Sequence, residues 1–471
     1  MFDVLTYQKG CAVLRMLEQH LGPEPFRRGI SRYLAEHAHA NTETSDLWDA
    51  IEAASEEPAG AVMNSWILQG GYPVVSVATD DGRPRVRLGQ RRFRYLATAG
   101  DEAEPRWQVP IALRASVGGE VVRRRLLFTE PDTTVDLPGA PDWVVVNEGG
   151  WGFYRVRYGA GLLAPLLADP QANLSVVERF NLVADTWAST LAGFSTVADF
   201  THLAGLFGEE SDPDLWAVLL APLRLFDKVV GETGRPRLEA FARRLAGPAF
   251  ERVGWSAGPD EAERVGQLRA ILLGALGTLG NDEPVRERCR QLHQAYLDDR
   301  AAVAPDLVDT VLAVVADSGG QEEYEQFLDR FRQPGTPQEE LRYLYGLGRF
   351  PDAALVDRTL ALCLTDEVRT QNAPYLVGQM LGGRRQGAAA WRFVQDHWDL
   401  MCERFPDNSI PRMVEGLAGQ ASPERTAEAK AFFADHPVPQ GELLVRQTLE
   451  RMEVNAAFAE AHGAEVATAL E

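Results

Sequence analysis

The spacing of apolar residues changes twice along this chain, and these changes limit its architecture more than any other feature. As far as Gly71, apolar residues recur every three or four positions, which predicts helices. At Tyr72 the pattern becomes alternating, as in Trp107 to Ala115, and predicts short half-buried strands up to Tyr158. After Gly159 the helical spacing returns and continues to the C-terminus. The order is therefore helices, a small β-region and a long helical array.

These changes divide the 471 residues into three predicted domains. A chain of this length exceeds what one hydrophobic core usually organises. We expect helices at 1–71, a small β-sandwich at 72–158 and a helical domain at 159–471. Because the last helices show no strict repeat period, we interpret them as an irregular α-solenoid. The predicted fold class is mostly α with a small β-sandwich.

Several helix and strand boundaries are also predicted. The first helix should extend from Phe2 to Leu21, and a later one should begin with Thr44 or Ser45 as its N-cap. Further helices are expected at 176–191, 261–279 and 388–404. Antiparallel strands are expected at 74–78, 85–95, 107–115, 121–128, 143–147 and 153–158, with turn signals at Asp81-Gly82 and Gly118-Gly119.

The charge and cysteine content exclude several classes of partner. Asp and Glu number 68 against 47 Lys and Arg, which gives a formal net charge of −21. This surplus disfavours nucleic acid and anionic membrane surfaces. The four cysteines are far apart and form no C-x-x-C pair, which fits a reduced thiol pool. Without a basic leader or a membrane-spanning apolar run, we expect a soluble, cytoplasmic protein.

One catalytic motif in this sequence is weak and another is missing. The segment Gly254 to Gly258 matches the G-x-S-x-G nucleophile pattern, but a helix rather than a strand is predicted before Ser256. A serine hydrolase therefore remains a third and minor hypothesis. No two of the eight histidines are four residues apart, so the sequence contains no H-E-x-x-H zinc motif. No metal ligands are predicted in this chain.

The stretch from Phe2 to Gly10 resembles a segment of the aminopeptidase N family of zinc metallo-aminopeptidases, downstream of the zinc motif. Similar likenesses occur at 63–66 and 69–74, at the end of that family's thermolysin-like domain and the entry to its β-sandwich. Others occur at 152–158, 369–373 and 432–437. The resemblance follows the family's domain order along the whole chain. It implies that 1–71 is the C-terminal helical part of a thermolysin-like catalytic domain.

By this resemblance, Tyr7 corresponds to the tyrosine that donates its phenolic O–H to the oxyanion formed during peptide hydrolysis. A phenol stays protonated at neutral pH, and such a donor typically contributes about 10²- to 10³-fold in rate. The family's zinc ligands and general base have no counterpart in this sequence. We therefore expect no cofactor in this chain, whereas the parent family uses zinc. We predict that this chain alone does not hydrolyse peptides.

The resemblance leaves two main functions open. In the first, the chain completes a zinc aminopeptidase, encloses its peptide substrate and binds a catalytic lobe that lies outside this sequence, with Arg384 and Arg385 contacting the peptide C-terminus. In the second, it is a stand-alone solenoid module that binds peptides or proteins without chemistry. Apolar residues of the first helix, namely Leu5, Val13, Leu14 and Leu17, are expected to face the catalytic lobe. A severed fragment should then self-associate through this helix.

Overall fold

The computed structural model describes residues 5–79, 83–96 and 104–471. It is mostly helical with one small region of β-structure, which confirms the predicted class. The chain divides into two compact units, Met1–Phe194 and Ser195–Glu471. The domain limits expected at 71/72 and 158/159 stay predictions. Phe2, Asp3, Val4 and the Asp81-Gly82 turn signal lie outside the described residues.

The first unit contains seven helices and seven strands in the part of the chain that the structure describes. The helices are α1 (Gly10–Leu21), α2 (Pro23–Glu36), α3 (Thr44–Ser55), α4 (Ala59–Ile67), α5 (Ala160–Leu167), α6 (Pro170–Asn173) and α7 (Val176–Leu191). The strands are β1 (Pro73–Thr79), β2 (Arg85–Arg92), β3 (Val109–Val117), β4 (Glu120–Phe128), β5 (Asp132–Asp136), β6 (Trp143–Val146) and β7 (Arg155–Tyr158).

The first helix differs from its prediction in where it begins and what it faces. A π-helical turn occupies Leu5–Lys9, so α1 begins only at Gly10. Val13 and Leu17 are 2% and 0% exposed, since α1 packs on α4 and β3 inside this unit. The expectation that these two residues face another lobe is therefore wrong. They form no exposed patch for self-association.

The strands form two sheets, ordered β5-β2-β1-β7 and β4-β3-β6. Most neighbours are antiparallel as predicted, but β7 runs parallel to β1, with Val74 opposite Arg155. β7 joins this sheet after the chain has crossed to the second sheet, so it can approach β1 in either direction. Gly118 and Gly119 have positive φ angles of 58° and 85° and form the tight β3–β4 turn. Buried residues of both sheets belong to one hydrophobic cluster with α1, α3 and α4.

The second unit is entirely helical. Its helices are α8 (Val197–Gly205), α9 (Pro213–Val229), α10 (Gly231–Val253), α11 (Glu263–Gly277), α12 (Glu283–Asp298), α13 (Pro305–Ser318), α14 (Gln321–Arg332), α15 (Pro337–Leu347), α16 (Ala353–Leu362), α17 (Ala373–Gly382), α18 (Gly387–Asp396), α19 (Trp398–Arg404), α20 (Ile410–Val414), α21 (Pro423–Asp435) and α22 (Glu442–Ala469), with short 3₁₀ turns between some of them.

Packing in the second unit is mostly between helices that are close in sequence, such as α10 with α11, α12 with α13 and α14 with α15. The long α22 is an exception, because it contacts α8, α9 and α10 as well as α21. It thereby ties the end of the unit to its beginning. Among the described residues, we find no helix with both the length and the apolar character that a membrane span requires.

Two local predictions need correction. The helix expected at 388–404 is two helices, because the backbone at His397 leaves helical geometry between α18 and α19. The N-cap of α3 is Glu43, not Thr44 or Ser45, and its backbone N–H donates to the Asp46 carboxylate at 2.8 Å. Both errors concern boundaries, and helices are present in both places.

Candidate functional site

Tyr7 lies in the first unit, on the π-helical turn that precedes α1. Its side chain is 55% exposed. Lys9 ends the same turn, and burial lowers the pKa of its ammonium group. Single π-helical turns frequently occur at functional sites. Because its side chain is largely exposed, the Tyr7 phenol is accessible, as a residue that contacts substrate must be.

Arg384 and Arg385 lie in the second unit, in the turn between α17 and α18, and both line one cavity of about 270 Å³. Side chains from α9, α10, α12, α13 and α17 complete this cavity. Its lining contains seven basic side chains and three carboxylates, a formal excess of four positive charges (seven minus three). The whole chain carries −21. We call this feature the basic cavity.

The carboxylate of Asp227 is shared by two arginines of the basic cavity. Arg235 donates to Asp227 Oδ1 in a close ion pair, and Arg384 Nε lies 3.1 Å from Oδ2. Arg384 also approaches Glu232 at 3.8 Å. Because both oxygens of Asp227 are engaged, this carboxylate has little capacity left for a third cation.

Asp317 has the same role on the other side of the cavity. Arg286 lies 3.4 Å and Arg385 3.6 Å from Asp317 Oδ2, and Arg385 also donates to the Asp317 backbone carbonyl at 2.7 Å. The third carboxylate, Glu239, accepts a 3.1 Å hydrogen bond from the side-chain amide of Asn281. Every carboxylate in the lining therefore already has a partner within the chain.

Lys228 is held by backbone carbonyls instead of carboxylates. Its ammonium group donates to Gly382 O at 2.8 Å and to Gly419 O in a shorter contact. Burial lowers its pKa, nearby Asp227 partly opposes this effect, and Arg224 adds to it. The lysine fixes α9 to the end of α17, so its charge is placed at the cavity by rigid elements.

Arg224 and Arg349 are the remaining cations, and both side chains are exposed to the cavity. Neither guanidinium makes a hydrogen bond or an ion pair with the residues that the structure describes. Burial is the main cause that lowers the pKa of each guanidinium; Asp227 opposes it at Arg224, while at Arg349 Asp317 opposes it and the like charge of Arg224 adds to it. Two partly desolvated guanidinium groups that make no hydrogen bond or ion pair with the described residues constitute a site that favours an anion.

The comparisons with known proteins assign this chain to a family. Residues 143–454 match the family described as the ERAP1-like C-terminal domain, and residues 1–66 match the Peptidase family M1 domain. The chain belongs to the ERAP1-like C-terminal domain family. The basic cavity thus lies within the part of the chain that defines the family match.

Known aminopeptidases are similar along nearly the whole chain. Aminopeptidase M1 of Arabidopsis thaliana is 30% identical over 98% of this chain and 54% of its own length. The alanine/arginine aminopeptidase of Saccharomyces cerevisiae is 29% identical over 92% of this chain and 51% of its own length. The chain therefore spans about half the length of the curated relatives it matches. The resemblance to a C-terminal portion of the aminopeptidase N family is confirmed.

The family relationship implies zinc, but the described residues contain no site that fits it. Across 5–79, 83–96 and 104–471, no group of three or more His, Cys, Asp and Glu side chains is arranged to hold a metal ion. Zinc needs three or four such ligands. The described residues do not fit the metal, and no zinc-dependent step is assigned to them.

Ser256 lies in the loop after α10, which ends at Val253. A helix therefore precedes the serine, as the sequence predicted, and the strand that a nucleophile elbow requires is not present at this position. The loop is held by Arg269, which is 3% exposed and donates to the Gly254 carbonyl at 2.8 Å. The motif is a structural loop.

Sequence reasoning singled out Arg384 and Arg385, a prediction that stays open, but gave no sign of Arg224 and Arg349. The first pair stands out as consecutive arginines after Gly383. The second pair comes from α9 and from the residues that follow α15, which are far apart in sequence. Local patterns contain no signal for this convergence, and only the packed helices bring the four arginines to one cavity.

Proposed function

We propose that this chain is the C-terminal part of a zinc metallo-aminopeptidase that releases N-terminal amino acids from peptides. In this proposal the helical unit acts as an α-solenoid that encloses the substrate chamber, and the basic cavity holds the C-terminal carboxylate of the peptide. The observation that carries the proposal is the presence of Arg224 and Arg349 without internal partners in a strongly acidic chain.

A carboxylate suits these two guanidinium groups better than a neutral ligand does. The fork of N–H donors on arginine matches the two oxygens of a carboxylate, and such charged hydrogen bonds are about twice as strong as neutral ones. Arg384 and Arg385, the residues predicted from sequence, line the same cavity but already have partners at Asp227 and Asp317. We therefore assign them to positioning and give the direct contact to Arg224 and Arg349.

The test is binding of a short peptide, fluorescein-labelled at its N-terminus, with its C-terminus either a free acid or an amide. Fluorescence anisotropy should show about tenfold weaker binding of the amide, because a charged hydrogen bond is lost. Arg349→Gln should weaken binding of the free acid, whereas Arg288→Gln, at an exposed arginine of α12 outside the cavity, should not. Equal affinity for acid and amide would refute the proposed contact.

We further propose that Tyr7 stabilises the oxyanion in the complete enzyme, where the zinc and general base come from outside this chain. Its exposure on the π-helical turn and the family resemblance support this role. The chain incubated with zinc and a fluorogenic aminoacyl substrate should give no turnover. Turnover that survives both chelation and Tyr7→Phe would show that other residues of the chain carry the chemistry.

One observation favours the alternative of a stand-alone binding module. Val13 and Leu17 are buried in the core of the first unit, so their apolar character needs no missing lobe to explain it. Light scattering distinguishes the two cases. A stand-alone module should be monodisperse and bind peptides by itself, while a severed part should form a larger complex with an added catalytic lobe.

A further inference from the structure

The basic cavity has more positive charge than one carboxylate can neutralise. Its three carboxylates already serve Arg235, Arg384, Arg286, Arg385 and Asn281, and Lys228 is bound to two backbone carbonyls. Two guanidinium groups, those of Arg224 and Arg349, remain. A single peptide carboxylate can bridge both groups, as Asp227 bridges Arg235 and Arg384, but it neutralises only one of their two charges. A ligand with two carboxylates would satisfy both.

Both guanidinium groups are attached to backbone that is held in place. Arg224 lies one helical turn before Lys228, whose ammonium fixes α9 to α17 through Gly382. At the other side, the amide of Gln386 donates to the carbonyl of Arg349 at 2.8 Å and to that of Phe350 at 3.0 Å. The backbone at each arginine is therefore fixed before a ligand arrives, which reduces the entropy lost on binding.

The lining offers little to an apolar side chain. Among the described lining residues, Leu279 is the only one with an apolar side chain, and it is itself 8% exposed. A buried aliphatic or aromatic terminal residue would be surrounded by charged and amide groups. The cavity volume of about 270 Å³ lies near the lower limit of ordinary ligand sites, which suits the end of a peptide and excludes a folded domain.

The negative charge of the whole chain does not prevent this binding. At physiological salt the Debye length is about 8 Å, so distant carboxylates are largely screened and the groups lining the cavity determine its field. The formal excess in the lining is positive. An acidic peptide end is thus repelled weakly at long range and attracted once it enters the cavity.

We infer that the basic cavity selects peptides whose C-terminal residue is aspartate or glutamate, with the terminal carboxylate and the side-chain carboxylate divided between Arg224 and Arg349. This inference rests on the proposed function, since it assumes that the cavity holds a peptide C-terminus. It adds a specificity that the resemblance to aminopeptidases does not supply.

Four labelled peptides of otherwise identical sequence test it, ending in Glu or Gln, each as a free acid and as an amide. Anisotropy with the intact chain should rank the Glu acid about tenfold tighter than the Gln acid, and the Gln amide weakest. In Arg224→Gln and Arg349→Gln the Glu and Gln acids should bind within about twofold of each other. Arg288→Gln should keep the wild-type ranking. Circular dichroism of each variant verifies that it is folded.

The outcomes separate this inference from the proposed function. If the two free acids bind equally well and both amides bind worse, the carboxylate contact stands and the acidic specificity is refuted. If the Glu amide binds as well as the Glu acid, the terminal carboxylate is not recognised and the proposed function fails with the inference. Absence of binding by all four peptides at millimolar concentration overturns both.

Discussion

His293 should make the second unit less stable in mild acid. Its side chain is 1% exposed on α12 and packs against the rings of Phe327 and Tyr343, at centroid distances of 5.2 and 6.1 Å. Nε2 lies 3.4 Å from the Tyr343 hydroxyl, and Nδ1 is buried without a hydrogen-bond partner among the described residues. Burial is the main cause that lowers the pKa of His293 from 6.5 to about 4, opposed by Glu323 and assisted by Arg330.

The sign and size of the effect follow from the lowered pKa. Above pH 6.5 the imidazole is neutral in both the folded and the unfolded chain, so stability is fully present. As the pH falls from 6.5 toward 4, the unfolded chain binds a proton that the folded chain excludes. The free energy of unfolding should therefore fall, by about 2 kcal/mol at pH 5 and about 3 kcal/mol below pH 4.

Hydrogen exchange of α12 measures this loss at its source, because whole-chain unfolding would mix the two units. Exchange protection, corrected for intrinsic rates, is compared at pH 7.5 and pH 5 in wild type, in His293→Leu and in His202→Leu. His202 is exposed on α8 and serves as the matched control. Between pH 7.5 and pH 5, the free energy of unfolding should fall by about 2 kcal/mol less in His293→Leu than in wild type. In His202→Leu it should fall by the same amount as in wild type. An equal fall in wild type and His293→Leu would mean that the buried imidazole is not held neutral.

Four further substitutions test the packing, each by urea unfolding. Gly416→Ala should lower stability by about 1–3 kcal/mol, because its Cβ would fall on the Gly378 carbonyl. Gly247→Ala, with nothing near its Cβ, should raise stability by about 0.5–1 kcal/mol. A neutral effect of Gly416→Ala would contradict the contact with Gly378. Glu178→Gln should cost about 3 kcal/mol, since this 6% exposed carboxylate accepts from two backbone amides and an arginine; a loss below about 1 kcal/mol argues against a charged network. Lys228→Met should lower the free energy of unfolding by about 2 kcal/mol, because it leaves the carbonyls of Gly382 and Gly419 unpaired. An unchanged free energy of unfolding would mean that these two hydrogen bonds do not stabilise the fold.

The sequence predicted elements well where local chemistry determines them. The helix Val176–Leu191 was predicted from its apolar spacing and has the expected limits, and the structure shows a capping box of Ser175 and Glu178 at its N-terminus. The break at His397 was missed because apolar spacing continues across it. There the ring Nδ1 lies 3.0 Å from the Phe393 carbonyl, a contact that depends on the ring's orientation.

Strand pairing and the site were less predictable. Strand β5 was missed because it is short and polar and contains one buried residue, Val135, so no alternating pattern is visible. Its pairing with β2 depends on a partner distant in sequence. For the same reason the sequence drew attention to Arg384 and Arg385 but not to Arg224 and Arg349 of the same cavity, whose proximity depends on the packing of α9 and α15.

The unpaired arginines also predict an opposition between stability and binding. An acidic chain offers many carboxylates that could have neutralised Arg224 and Arg349, yet the lining carboxylates are engaged elsewhere. Desolvation of both guanidinium groups, with their mutual repulsion added, outweighs the attraction of Asp227 and Asp317 and lowers the stability of the free chain. Arg349→Gln should therefore raise the free energy of unfolding by about 0.5–1 kcal/mol at low salt while it weakens peptide binding.

Because desolvation is the largest cause, this gain in the free energy of unfolding should persist when salt screens both the attraction of Asp317 and the repulsion of Arg224. Arg288→Gln, outside the cavity, should leave stability within about 0.5 kcal/mol of wild type at both salt concentrations. If Arg349→Gln were destabilising at low salt, the arginine would have a structural partner and the cavity would not hold an uncompensated charge. If Arg349→Gln stabilises the fold and also abolishes peptide binding, then the charge of Arg349 both opposes folding and attracts the ligand.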